Sequence, residues 1–132
     1  MDLDERHIIA SVDDFRALTG PVPDRIAKMS ISFVDNICRA FIAASPYVLI
    51  GTRGADGLPD VSPRGDPAGF VHVADDRTLL IPDRPGNRRH DTFENILSDP
   101  GGALLFVIPG RTDTLRIAGR ATITNDPELR AT

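Results

Sequence analysis

Between residues 51 and 110 the chain meets a glycine or proline too often for a long helix or a long strand to fit: nine of its eleven glycines and seven of its eleven prolines fall there. These residues break regular backbone because glycine opens positive φ and proline removes a donor. Short runs rich in β-branched and aliphatic residues lie in and around this window: Tyr47 to Arg53, Leu58 to Ser62, Phe70 to Val73, Thr78 to Ile81, Ala103 to Ile108 and Thr114 to Thr124. Ala55-Asp56-Gly57 and Ala74-Asp75-Asp76-Arg77 read as hairpin turns. Short strands with close turns predict an antiparallel barrel or sandwich.

Helical spacing holds elsewhere. Ser11 can cap a helix carrying Val12, Phe15 and Leu18, stopped by Gly20-Pro21-Val22-Pro23. A second helix is expected from about Ser32 to Ala44, with Val34, Ile37, Cys38, Phe41 and Ile42 on one stripe and Ser45-Pro46 as its end. A third should run from about Asn87 to Leu97, closed by Asp99-Pro100-Gly101-Gly102. Asn125-Asp126-Pro127-Glu128 opens a last one. The chain stops at Thr132, about a turn later, so the expectation is one domain over residues 1–132 with a shortened C-terminus, helical over 1–46 and β over 47–125.

At 132 residues the chain can bury a real core, and 41% apolar with 26% charged residues is an ordinary globular balance. The longest apolar run, Ala103 to Ile108, is far short of a membrane span, and the acidic start Met1-Asp2-Leu3-Asp4-Glu5 is unlike a secretory signal. Net charge is −4, which argues against a general nucleic-acid binder. A lone cysteine, Cys38, allows no internal disulfide and fits a reducing cytoplasm. His7, His72 and His90 are far apart and make no metal motif. Gly51, Gly54 and Gly57 have the wrong spacing for a dinucleotide loop and read as a turn. No Gly-x-Ser-x-Gly elbow is present.

Three segments stand out. In Ile81-Pro82-Asp83-Arg84-Pro85-Gly86-Asn87-Arg88-Arg89-His90, Asn87 is a plausible cap and two arginines open a helix. Cations there oppose the helix dipole unless an anion sits among them, so the segment reads either as a phosphate cradle or as a solvated basic turn paired with Asp83 and Asp91. In Asp60-Val61-Ser62-Pro63-Arg64-Gly65-Asp66-Pro67, strand alternation puts Asp60, Ser62, Arg64 and Asp66 on one face. That face suits a polar ligand, or equally a charged edge that blocks aggregation, and Pro63 and Pro67 place it at an edge or barrel mouth. Leu115-Arg116-Ile117-Ala118-Gly119-Arg120-Ala121 alternates as a strand does.

In this order, with Val48-Leu49-Ile50-Gly51-Thr52, Leu79-Leu80-Ile81-Pro82, Asn95-Ile96-Leu97-Ser98-Asp99-Pro100 and Leu104-Leu105-Phe106-Val107 between them, the segments resemble the pyridoxamine 5′-phosphate oxidase-like family over about residues 40 to 125. The resemblance implies a six-stranded antiparallel split barrel with flanking helices, a homodimer, and FMN in a groove between subunits. It sets Asn87, Arg88 and Arg89 at the phosphate, where Asn87 stands for the family's serine and Arg89 for its lysine. It sets Ser62, Pro63, Arg64, Gly65 and Asp66 beside the ring, followed by Pro82 and Asp83, with Thr114 reaching the flavin from the partner subunit.

The function so implied is that of an FMN-dependent oxidoreductase with a small-molecule substrate or electron donor. The chain ends before the segment that helps the vitamin oxidases hold pyridoxal phosphate, so pyridoxamine phosphate is not the expected substrate. No residue stands out as an obligatory acid or base, and flavin redox chemistry needs none. Two other readings are a deazaflavin or haem cofactor in the same barrel, with His7, His72 and His90 as the axial candidates for haem, and a dimeric flavin-binding module without catalysis.

Overall fold

The computed structural model describes residues 1–84 and 90–132. They fall into two compact units, Met1–Ser32 and Phe33–Thr132.

The first unit is helical. Helix α1, Val12–Thr19, is capped as expected by the Ser11 hydroxyl, which accepts from the Asp14 N–H at 3.0 Å, and it ends on Gly20 at φ 78°. A single turn, α2, spans Asp24–Ala27, and a 3₁₀ turn covers Glu5–His7. No side chain of this unit is buried.

The second unit opens with α3, Asn36–Ala44. It begins later than its apolar stripe suggests, for two reasons. The Val34 N–H donates to the Asp76 carbonyl at 2.7 Å, which ties that segment to a neighbouring turn. The Asp35 carboxylate accepts from the Cys38 N–H at 2.8 Å, which makes Asp35 the cap. That bond, larger than any other influence, holds the Asp35 carboxyl below the usual carboxylate range. Ile42 buries the helix against the sheet, so α3 belongs with the strands.

Six strands follow. They are β1 Tyr47–Arg53, β2 Pro59–Gly65, β3 His72–Asp75, β4 Thr78–Leu80, β5 Gly101–Val107 and β6 Thr114–Arg120. Four make an antiparallel sheet in the order β2-β1-β5-β6, and β3 and β4 make a separate hairpin. The chain is therefore mainly β with flanking helices, and the described strands form no closed barrel. In the chain, α4, Asp91–Ser98, lies between the β3–β4 hairpin and β5; a final turn, α5, spans Pro127–Arg130 and is capped by Asp126.

Several boundaries moved from their expected places because pairing sets them. β2 runs on to Gly65 because it pairs with β1 over its whole length, Tyr47 opposite Gly65 and Arg53 opposite Pro59. It is an edge strand, where prolines are tolerated. β6 stops at Arg120 because its partner β5 begins at Gly101, directly opposite. β5 starts on two glycines, and a Cβ on Gly102 would lie 3.1 Å from the Gly51 carbonyl, a tight approach that a side chain could make only if the strands shifted slightly. Gly51, Gly54 and Gly57 belong to β1 and the β1–β2 turn, closed by Gly54 N–H to the Leu58 carbonyl at 2.9 Å with Gly57 at φ 80°.

The register gives one sheet face as three rows. Across β2, β1, β5 and β6 these are Arg64, Val48, Phe106 and Leu115; Ser62, Ile50, Leu104 and Ile117; and Asp60, Thr52, Gly102 and Gly119. Val48 and Phe106 are fully buried and pack with Ile42 and Val71; Val73, Leu79 and Ile81 join from the hairpin side. In its first two rows this face is apolar on three strands and polar on the fourth.

Candidate functional site

The polar strand is β2. Along it Asp60, Ser62 and Arg64 are half-buried while Pro59, Val61, Pro63 and Gly65 are exposed, and Asp66 continues the inward set. The expected shared face is therefore present. Arg64 is its centre. Its Nη1 donates to the Asp83 carboxylate at 3.3 Å, and its guanidinium carbon lies 5.7 Å from the Phe93 ring centroid. Its Nε is buried and has no acceptor among the described residues. A buried donor left unmade is costly, so a site that keeps one has a use for it.

The neighbouring groups extend this arrangement. The Arg84 Nε donates to the Asp66 carboxylate at 2.7 Å, a second bond between β2 and the segment after β4. Phe93, on α4, also stacks with His90 at 5.6 Å between centroids and 9° between planes. His90 is the N-cap of α4, lies at φ 54° and ψ 25°, and makes no side-chain cap bond. Among the described residues it alone, apart from glycines, has positive φ. A non-glycine residue held there costs on the order of 1–2 kcal/mol. His90 holds the N-cap position of α4, and the expected Asn87 cap, with Arg88 and Arg89, lies outside the described residues.

A polar bond helps seat α4 on the sheet: Asn95 Nδ2 donates to the buried Thr52 hydroxyl at 3.0 Å. This aims the first turn of α4, and so Phe93, at Arg64. Pro82 is half-buried and Asp83 exposed, both directly after β4. The structure thus brings Ser62, Arg64, Asp66, Pro82 and Asp83 to one side of the sheet, while the side-chain positions of Pro63 and Gly65, on the same strand, face the other way. Thr114 is not among them. It opens β6, three strand spacings from Gly65 across Tyr47 and Val107, or about 14 Å.

The histidines are dispersed over separate elements: His7 in the 3₁₀ turn, His72 at the start of β3 and His90 at α4. Among the described residues no His, Cys, Asp and Glu cluster could hold a metal, and no helix is long and apolar enough to cross a membrane. A recess of about 260 Å³ lies elsewhere, between α3 and the start of β3, lined by Arg39, Ile42, Gly69, Val71 and His72 among others. Cys38, partly buried, has its thiol pushed up, chiefly by burial, and is no activated nucleophile.

Compared with known protein families, residues 34–132 match the model described as pyridoxamine 5′-phosphate oxidase. The chain belongs to the pyridoxamine 5′-phosphate oxidase family. A crystal structure of a HupZ variant from Group A Streptococcus shares the fold at a TM-score of 0.53 and 20% identity, covering 66% of this chain and 67% of that one. No curated protein matches the chain. The family match begins at Val34, beside the boundary at which the second unit begins.

Phe93, Arg84 and Asn95 are the residues around Arg64 that sequence reasoning did not assign to the site, and His90 was named there only as a possible haem ligand. Phe93 reads as one more apolar residue of a helical stripe, and Asn95 as a polar residue on its far side. Arg84 and His90 carried a signal, because both fall within the basic segment already singled out.

Proposed function

We propose that this family member is an FMN-binding split-barrel flavoprotein, a cytoplasmic homodimer, and an oxidoreductase acting on a small molecule. One observation carries the reading. Arg64 presents a buried Nε–H with no acceptor among the described residues, at the polar edge of an otherwise apolar sheet face. A flavin mononucleotide is rich in acceptors, so the residues present fit it. Arg64 would donate to it, Asp83 and Phe93 would hold the guanidinium, and Ser62, Asp66 and the backbone of Pro63 and Gly65 would line the same edge. Asn87, Arg88 and Arg89 would take the phosphate. When bound, the flavin supplies hydride or single-electron transfer. The protein's part is to orient it and to keep its apolar side dry against Ile50, Leu104 and Ile117.

The homodimer rests on the opposite sheet face. Tyr47, Val61, Pro63, Ala103 and Ala118 are exposed there, small and apolar residues set among the exposed Arg53, Arg116 and Arg120. On a partner's copy of this face Thr114 would be free to approach the site.

The test is the visible spectrum of the purified protein before and after FMN addition and desalting, followed by titration of Arg64→Ala. Flavin bands that survive desalting, with weaker binding by the variant, are expected. A protein that ignores FMN but takes up a deazaflavin, or shows a haem band instead, would overturn the cofactor. FMN retained without reduction by NADH, NADPH or a screened set of donors would reduce the reading to a non-catalytic flavin-binding module.

A further inference from the structure

Four groups in the second unit form a connected series: Asp83 bonded to Arg64 at 3.3 Å, Arg64 against the Phe93 ring at 5.7 Å, and Phe93 stacked with His90 at 5.6 Å. The last of them is the strained one. His90 keeps a left-handed backbone at the start of α4, where glycine or asparagine would sit at lower cost, and its ring caps no N–H in return. Its ring lies nearly parallel to Phe93, 9° between planes. An exposed residue that gives no cap bond and strains the backbone is a poor choice for stability, and strain of this kind is kept where the surrounding site needs the geometry.

We infer that His90 is a positioning residue: its ring fixes the plane of Phe93, and Phe93 in turn fixes the guanidinium of Arg64 so that the Nε–H, which has no acceptor among the described residues, points at one place. An arginine has several rotatable bonds, and Asp83 holds only one of its nitrogens. The flat face of Phe93 supplies the second restraint through cation–π attraction. Phe93 itself, half-buried at the first turn of a helix, needs a partner to hold its ring, and the His90 ring is that partner. What Arg64 then donates to is the flavin of the preceding proposal, and in that respect alone the inference rests on it.

Two readouts separate the two. In the cofactor-free protein, the Arg64 Nε–H resonance, assigned by its loss in Arg64→Lys, should stand upfield from ring current. It should return toward its free position in Phe93→Leu and move partway in His90→Gly, while His90→Phe, which keeps an aromatic ring, should retain the shift. An unshifted resonance in the native protein, or one indifferent to His90→Gly, overturns the positioning role whatever the cofactor. In FMN titrations followed by flavin fluorescence, His90→Gly should bind roughly three- to tenfold more weakly than the native chain. Its thermal midpoint should be equal or higher, because strain is relieved. Equal affinity in a native protein that does bind FMN also overturns the inference. A native protein that shows the resonance pattern but binds no FMN leaves the positioning role standing and removes the flavin.

Discussion

Arg64 carries two opposing consequences of one geometry. Without an acceptor its buried Nε–H is a loss, and with one it is a specific donor. Arg64→Met keeps the apolar stem beside Phe93 and removes the unmade donor. Cofactor-free stability in urea should therefore change by less than about 1 kcal/mol, the range of a half-exposed ion pair, while FMN affinity falls clearly. A large loss of cofactor-free stability would instead make Arg64 a structural residue. At the phosphate end, Arg88→Ala should weaken FMN binding by about 1.5–3 kcal/mol through loss of a charge-assisted bond. Unchanged affinity, measured by the same titration, removes the phosphate assignment. Arg64 was legible in the sequence because strand alternation and the family pattern both reach it. Its dependence on Phe93 was not, since nothing local couples positions 29 residues apart.

At the scale of elements, a bond from Asn95 to the buried Thr52 hydroxyl helps hold α4 to the sheet. Asn95→Ala leaves that hydroxyl unsatisfied and should cost about 1–3 kcal/mol in urea denaturation. It should also disturb FMN binding, because α4 carries Phe93. The other helix start is sensitive to acid. The Cys38 N–H holds the Asp35 carboxyl below the usual range, so its contribution is complete at neutral pH and is lost as pH falls through the lowered value. Asp35→Asn still caps but cannot titrate. Its thermal midpoint should decline less steeply than the native one on the acid side of the ordinary aspartate range, and parallel declines would exclude Asp35 as a source. Strand β1 was readable end to end, Tyr47 to Arg53, because a β-rich run is bounded by Pro46 and Gly54. β2 and β6 were not, because their ends are decided by the lengths of β1 and β5.

For the whole molecule, the sheet separates two tasks. One face packs Val48 and Phe106 against α3 and the hairpin, and the other presents Val61, Pro63 and Ala118. Val61 is 64% exposed, so a charge there should leave the folded chain intact. If the proposed dimer forms through this face, Val61→Glu should shift sedimentation from dimer to monomer without lowering the thermal midpoint of the monomer, and should weaken FMN binding where the groove is shared. A dimer indifferent to the change would move the interface elsewhere.

Local chemistry is enough to mark a change from helix to short strands near Tyr47, to put Asp60, Ser62, Arg64 and Asp66 on one face, and to make the β1–β2 connection a turn. These follow from spacings of a few residues, where backbone geometry is set by neighbours in the chain. Tertiary structure alone decided that the helix before Tyr47 joins the sheet, that β1 and β5 are the inner strands, and that His90 stands at the start of α4. It also decided that Phe93 meets Arg64. Each of these depends on which strand pairs with which and on a helix docking across the sheet. Such pairings join residues far apart in sequence and are chosen by the packing of the whole core.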